Sequence, residues 1–203
     1  MKFKKSTSGT QAANQSGFTL VEVMIAIAVM SIGLLSVVAS IATALQTTQS
    51  AQEDLIARQK AMEALESIYT ARNSQQVSFA AINNTGSGGI FLPGAQTLLC
   101  AGPDGLVGTG DDVPCVTSAG TTCPYSGAEC WVLPGPDGKL GSGGDDVTYS
   151  LSNFTRTISF NQVFLSTGGV NPNMRAISVS VTYTKDGLPA RTFTVNGLIS
   201  SYN

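Results

Sequence analysis

An uncharged run of 30 residues, apolar over its first 23 or so, follows a single carboxylate, Glu22, near the start of the chain. The junction before it reads Ser16-Gly17-Phe18-Thr19-Leu20-Val21-Glu22, where small polar residues give way at Gly17 to an apolar stretch. An ionisable group inside a membrane segment costs roughly 2.5–3.5 kcal/mol at mid-depth on insertion scales, so Glu22 reads as functional rather than incidental. Residues 1–17 carry Lys2, Lys4 and Lys5 and no acid. An ordinary secretory signal places its apolar core before the cleavage site and loses it. Here the apolar run begins after Gly17 and extends to about Leu45. As a helix it would be about 42 Å long at ~1.5 Å per residue, against a bilayer core of ~30 Å. It can span, with the three lysines held on the inner side.

The segment Gly17-Phe18-Thr19-Leu20-Val21-Glu22-Val23-Met24-Ile25-Ala26 resembles a class III, prepilin-type signal, the mark of type IV pilins and type II secretion pseudopilins. The resemblance covers the leader and the first helix. It implies cleavage after Gly17 by a membrane prepilin peptidase and N-methylation of the new terminus, Phe18. The continuation Met30-Ser31-Ile32-Gly33-Leu34-Leu35 resembles the minor-pilin, or pilus modification protein, branch more than major pilins. No proline interrupts residues 36–42, where many major pilins carry one. After cleavage Phe18 would bear a cationic amine, and a carboxylate four positions on in low dielectric needs a partner. That partner is its own terminus or a neighbour's; the family reading prefers the neighbour, so that Glu22 sets the register of each incoming subunit. A single-pass anchor whose Glu22 snorkels to the interface would leave the Gly-Phe junction without a role.

From Gln46 to about Arg72 the chain has neither Gly nor Pro. Leu55, Met62 and Tyr69 recur every seven residues, Leu65 and Ile68 fill the adjoining face, and Ala51, Ala57, Ala61 and Ala64 are small. The pattern predicts one helix from about Phe18 to Ala71, with an apolar stripe laid on a sheet and Glu53, Arg58, Lys60, Glu63 and Glu66 on other faces. Toward the C-terminus, Ile177, Val179, Val181 and Tyr183 alternate with Ser178, Ser180 and Thr182, and Phe193 and Val195 alternate with Thr192, Thr194 and Asn196. Such alternation predicts half-buried strands. Lys185-Asp186-Gly187 is a hairpin signal, and Pro189 delays the following strand. An earlier strand is expected over about Thr148–Phe160, with Phe154, Ile158 and Phe160 on one face. The fold class is therefore α+β, and the resemblance implies a pilin-like head: an antiparallel sheet packed on the second half of the helix. The organisation expected is a leader (1–17), a membrane or filament-core helix (18–45), an amphipathic half (46–72) and a β head (73–203).

Two stretches of the head repeat each other. Gly102-Pro103-Asp104-Gly105 is followed by Asp111-Asp112, and Gly135-Pro136-Asp137-Gly138 by Asp145-Asp146, the second stretch having one extra Gly. Pro-Asp-Gly is good turn chemistry, which explains the first four residues but not the returning Asp pair. Hard cations take six to eight oxygens from carboxylates, carbonyls and water on flexible loops. Asp104, Asp111 and Asp112, and likewise Asp137, Asp145 and Asp146, would serve calcium if the glycines fold each loop back, with Leu106, Gly108, Leu140 and Gly141 adding carbonyls. The closing Glu of an EF-hand is missing. The pattern is similar to the Asp-Gly…Asp-Asp calcium loop in the heads of some pseudopilins and pilins. Plain acidic turns are the alternative.

Four cysteines, Cys100, Cys115, Cys123 and Cys130, lie within 31 residues, none spaced as CxxC. An even count in an exported chain reads as disulfides. Of three pairings the sequential one, Cys100–Cys115 with Cys123–Cys130, needs the least topology. The first would bracket the first acidic loop, and closing about 15 residues contributes roughly 3 kcal/mol in the chain-entropy model.

Histidine is absent, which excludes His-based triads and His-ligated metals. Charged residues are only 12% of the chain, and the net charge is −2, so no basic field speaks for nucleic acid. No nucleophile motif is present, and the acids cluster in Gly-rich turns. A structural subunit is expected rather than an enzyme: a minor pilin, a type II secretion pseudopilin or a major pilin. What the resemblance implies about partners follows from that. They are other pilins or pseudopilins in a helical filament, the prepilin peptidase, an inner-membrane assembly platform, and lipid before assembly. The protein is then expected in the bacterial inner membrane with its head in the periplasm, and later in a filament.

Overall fold

The computed structural model describes residues 17–116, 122–123, 127–141, 144–184 and 189–202. Helix α1 spans Leu20–Asn73. Its start is set by Thr19, whose hydroxyl accepts the Glu22 backbone N–H at 3.3 Å and whose carbonyl accepts the Val23 N–H at 3.2 Å. Thr19-Leu20-Val21-Glu22 thus has the Thr-x-x-Glu spacing of a capping box, and the helix begins two residues later than the apolar pattern suggests.

The chain divides into two compact units, Met1–Gln49 and Ser50–Asn203. In the first, every residue from 17 to 49 is exposed. The helix is long and apolar enough there to cross a membrane. Five of its hydroxyls turn inward on their own backbone: Ser31 donates to the Ile27 carbonyl, Ser36 to Gly33, Thr43 to Ser40, Thr47 to Thr43 and Thr48 to Ala44.

In the second unit, strands β1 (Gln96–Thr97), β4 (Phe154–Phe164), β5 (Val170–Tyr183) and β6 (Arg191–Ser200) form an antiparallel sheet in the order β1-β4-β5-β6. Strands β2 (Cys130–Leu133) and β3 (Val147–Ser150) pair as a separate two-stranded sheet. Ile177, Val179, Val181 and Tyr183 are buried on one face of β5, and Phe154 and Ile158 on the same side of β4. On the other side hydroxyls link the strands, Ser180 to Thr194 and Thr182 to Thr192, each at 2.8 Å. The architecture is α+β and pilin-like: a long N-terminal helix whose second half packs on an antiparallel sheet, with two disulfides in the C-terminal region.

Three details depart from the sequence reading. The strand expected over 148–160 is two strands in two sheets, broken at 151–153, where the Phe154 N–H turns back to the Leu151 carbonyl. The buried helix stripe is not Leu55 and Met62, which are exposed, but Ala57, Ala61, Ala64, Leu65, Ile68 and Ala71. These recur at three- and four-residue steps, the true helical neighbours, and they share one buried core with the β-branched face of the sheet. Lys60, placed by charge on an outer face, is only 6% exposed. The Lys185-Asp186-Gly187 turn lies outside the described residues.

Because Ala61 is fully buried, Ala61→Leu should force the helix off the sheet and lower stability by about 1–3 kcal/mol. Urea unfolding of the detergent-solubilised chain, followed by circular dichroism, measures this; an unchanged midpoint would show that the interface has room.

Candidate functional site

The N-terminal junction is an open segment. Gly17, Phe18 and Thr19 precede the first helical residue, a Cβ added at Gly17 would meet nothing within 4 Å among the described residues, and Phe18 is 83% exposed. The Gly17–Phe18 peptide bond is therefore outside the helical hydrogen-bond ladder. Glu22 stands in the first turn of α1, where a carboxylate also complements the positive end of the helix dipole.

The two acidic repeats fold alike. In each, the fourth residue donates its N–H back to the first, Gly105 to Gly102 and Gly138 to Gly135, both at 3.0 Å. Gly105 and Gly138 share φ +71°, a left-handed conformation that glycine adopts at no steric cost. Asp104 and Asp137 each accept the N–H two residues on, from Leu106 and Lys139, at 2.8 Å. The last Asp of each repeat reaches back to a glycine N–H, Asp112 to Gly108 at 2.7 Å and Asp146 to Gly141 at 2.6 Å. A Cβ on Gly102 would lie 2.1 Å from the Asp111 carbonyl oxygen, and one on Gly135 2.4 Å from that of Asp145. The returning Asp pair therefore closes each loop onto its opening glycine.

The loops differ in their anchoring. Leu106, Val107 and Thr109 of the first are buried, and its Gly108 carbonyl accepts the Leu92 N–H at 2.8 Å. Lys139, Leu140 and Gly141 of the second are exposed. The neck of the first loop is held by two backbone hydrogen bonds between Cys100 and Val113 and by the Cys100–Cys115 disulfide. Cys123–Cys130 is the second disulfide. Asp111 accepts from the Thr109 hydroxyl at 2.7 Å, which holds its carboxyl below the usual range, and its other oxygen accepts the Asp104 N–H. Burial pushes Asp112 upward despite the Gly108 and Thr109 N–H groups. Calcium would find six Asp carboxylates in two similar loops, but many of their oxygens take backbone N–H groups, and the Gly108 carbonyl is engaged. Among the described residues no three Asp, Glu, Cys or His side chains gather as a metal cluster.

Behind the first loop lies a buried charge cluster with no periodic sequence signature. Lys60 of α1 binds Glu63 at 2.7 Å and also Glu129, 69 positions away. Arg156 of β4 is 2% exposed, its charge opposite Asp112, Glu129 and Glu63, while among the described residues its Nε and Nη2 have no hydrogen-bond partner. Its place on the inward parity of β4, between Phe154 and Ile158, was the available signal.

Residues 12–42 match the family described as the prokaryotic N-terminal methylation motif. No curated protein and no solved structure matches the chain. The chain thus carries the type IV pilin-like signal, which supports a type IV pilin or pseudopilin-like subunit and implies prepilin peptidase processing and assembly with other pilins.

Burial pulls the Lys60 ammonium down, but its bonds and charge interactions with Glu129 and Glu63 outweigh it, leaving its pKa above the ordinary 10.5. A group raised on folding contributes stability that is full below its unfolded pKa and lost as pH rises through the folded one. Stability should therefore fall above about pH 10.5, and Lys60→Met should flatten that fall. Tyr183, raised by burial and by its hydrogen bond to Asp54, leaves a residual slope of the same sign. Urea midpoints from pH 8 to 11.5 decide; parallel curves for both proteins would remove Lys60 from the account.

Proposed function

We propose that the protein is a structural subunit, of the minor-pilin kind, of a type IV pilus or related filament. The observation that carries this reading is the open Gly17–Phe18 bond, followed two residues on by an apolar helix with Glu22 in its first turn. Hydrolysis of that bond leaves a free amine on Phe18, which is then methylated and stays cationic. The membrane pool is drawn on by the assembly platform, the apolar helix buries against other helices, and Glu22 meets the Phe18 amine of a neighbour. In low dielectric an unpaired carboxylate is costly, so the pair selects one register. A type II secretion pseudopilin has a specific observation in its favour, the two acidic loops. The protein works as a component and not as an enzyme.

Mass spectrometry of filament-borne protein should find a methylated Phe18 as the first residue, and an intact Met1 leader would overturn the reading. Glu22→Gln should still be cut and methylated but remain in the membrane fraction. If it enters filaments at the normal level, the pairing role fails.

Calcium belongs to the proposal as a ligand of the acidic loops. Support comes from the same Asp and Gly geometry arising twice; the carboxylates would turn from backbone N–H groups to the cation. Millimolar calcium should raise the melting temperature of the detergent-solubilised chain. Absence of a shift would mean that the loops are held by their Asp–amide hydrogen bonds alone.

A further inference from the structure

Strand β6 is the outer strand of the main sheet, and it is unusually open. It is ten residues long, its pairing with β5 runs without a register shift, and no charge lies between Thr192 and Tyr202. Edge strands are normally blunted by lysine, proline, bulges or brevity. The register shift near Gln162/Val163 and Pro172 both fall in the β4–β5 ladder, one strand inward. Among the described residues no other backbone bonds to β6 beyond its ladder with β5, and the one side-chain contact to a β6 carbonyl, from the Tyr69 hydroxyl, is at Leu198. Such a row of N–H and C=O groups is a ready template for pairing with another extended backbone.

The opposite edge of the sheet is also incomplete. Strand β1 covers only Thr155 and Arg156 of β4, and the Asn84 side chain caps the Ile158 carbonyl. Residues 159–164 of β4 extend past both, with Asn161 and Gln162 exposed and uncharged. One chain therefore carries two different, complementary, uncharged edges. We propose that the open edge of β6 pairs with residues 159–164 of β4 in a second copy, so that the sheet continues from one subunit to the next. Both strands run antiparallel to β5 and hence in the same direction, so copies continuing one sheet in the same orientation pair in parallel, a permitted ladder. Contact between two different edges is heterologous and, unless its rotation closes a ring, extends as an open filament, whereas β6 against β6 closes as a two-fold dimer and stops. The choice of a second copy rests on the filament reading above.

The four native cysteines are all in disulfides, so an introduced thiol reacts alone. Asn161 and Asn196 are exposed on the same side of the sheet. Across a continued sheet they come within reach of a flexible thiol cross-linker of about 10 Å, given a strand spacing of ~4.8 Å. Full-length Asn161→Cys and Asn196→Cys should be expressed together in the same cells, cross-linked and run without reductant. A dimer from the mixed cells, at least tenfold above either variant alone, with a ladder of higher species from the double variant, is the expected result. A dimer from Asn196→Cys alone would overturn the proposal in favour of the two-fold pairing. No cross-link in any sample would also overturn it. The mass of Phe18 read in the same samples shows whether the filament reading fails with it or survives.

Discussion

Packing of α1 on the sheet is the constraint on which the head depends. Four alanines, Ala57, Ala61, Ala64 and Ala71, occupy the contact stripe, and Leu65 and Ile68 fill what the sheet leaves between them. The rest of that core is taken by what the loops supply. Phe91, Leu98, Leu106 and Val107 are buried in the same core, so the first acidic loop is part of the packing and not an appendage. That is also why the charges of Lys60 and Arg156 are buried, with Glu129 half-buried beside them: they lie where helix, sheet and disulfide-linked segment converge. Breaking one partner of such a group leaves an uncompensated buried charge, a far larger loss than the pair's own net contribution.

The periodic parts of this architecture were legible. Alternation along β5 and β6 placed Ile177, Val179, Val181 and Tyr183 inward, because a strand's side-chain period is fixed at two. The helix was legible as a helix and its buried face in part: Leu65, Ile68, Ala57, Ala61 and Ala64 are buried as the pattern places them, whereas Leu55 and Met62 are exposed. A seven-residue recurrence of Leu55, Met62 and Tyr69 points to the largest apolar side chains, whereas four of the six buried helix residues on the stripe are alanine. Lys60 was misplaced for a different reason. Its partner Glu129 sits in a segment without periodicity, and nothing local reveals a contact across 69 positions. The break at 151–153 was equally hidden, since both flanking stretches read as strand.

The acidic repeats show the same division. Their likeness as sequence became likeness as backbone, down to the shared φ of Gly105 and Gly138. What sequence spacing could not supply was the direction of the carboxylates. Asp104, Asp112, Asp137 and Asp146 each receive a nearby N–H, because a short Asp side chain in a Gly-rich turn finds amide donors before it finds anything distant. The loops differ in anchoring: Leu106 and Val107 of the first are buried, whereas Lys139 and Leu140 of the second are exposed.

The inward-turned hydroxyls of the apolar helix have a consequence of their own. Ser31, Ser36, Thr43, Thr47 and Thr48 all spend their donors on carbonyls of the same helix. Each therefore arrives in any new surroundings already satisfied. Passing from lipid to a wall of neighbouring helices would break none of these bonds and demand no replacement. A rod that keeps its polar bookkeeping internal can change solvent without changing shape, and Glu22 is left as the one side chain between Thr19 and Gln46 whose charge must find an answer outside.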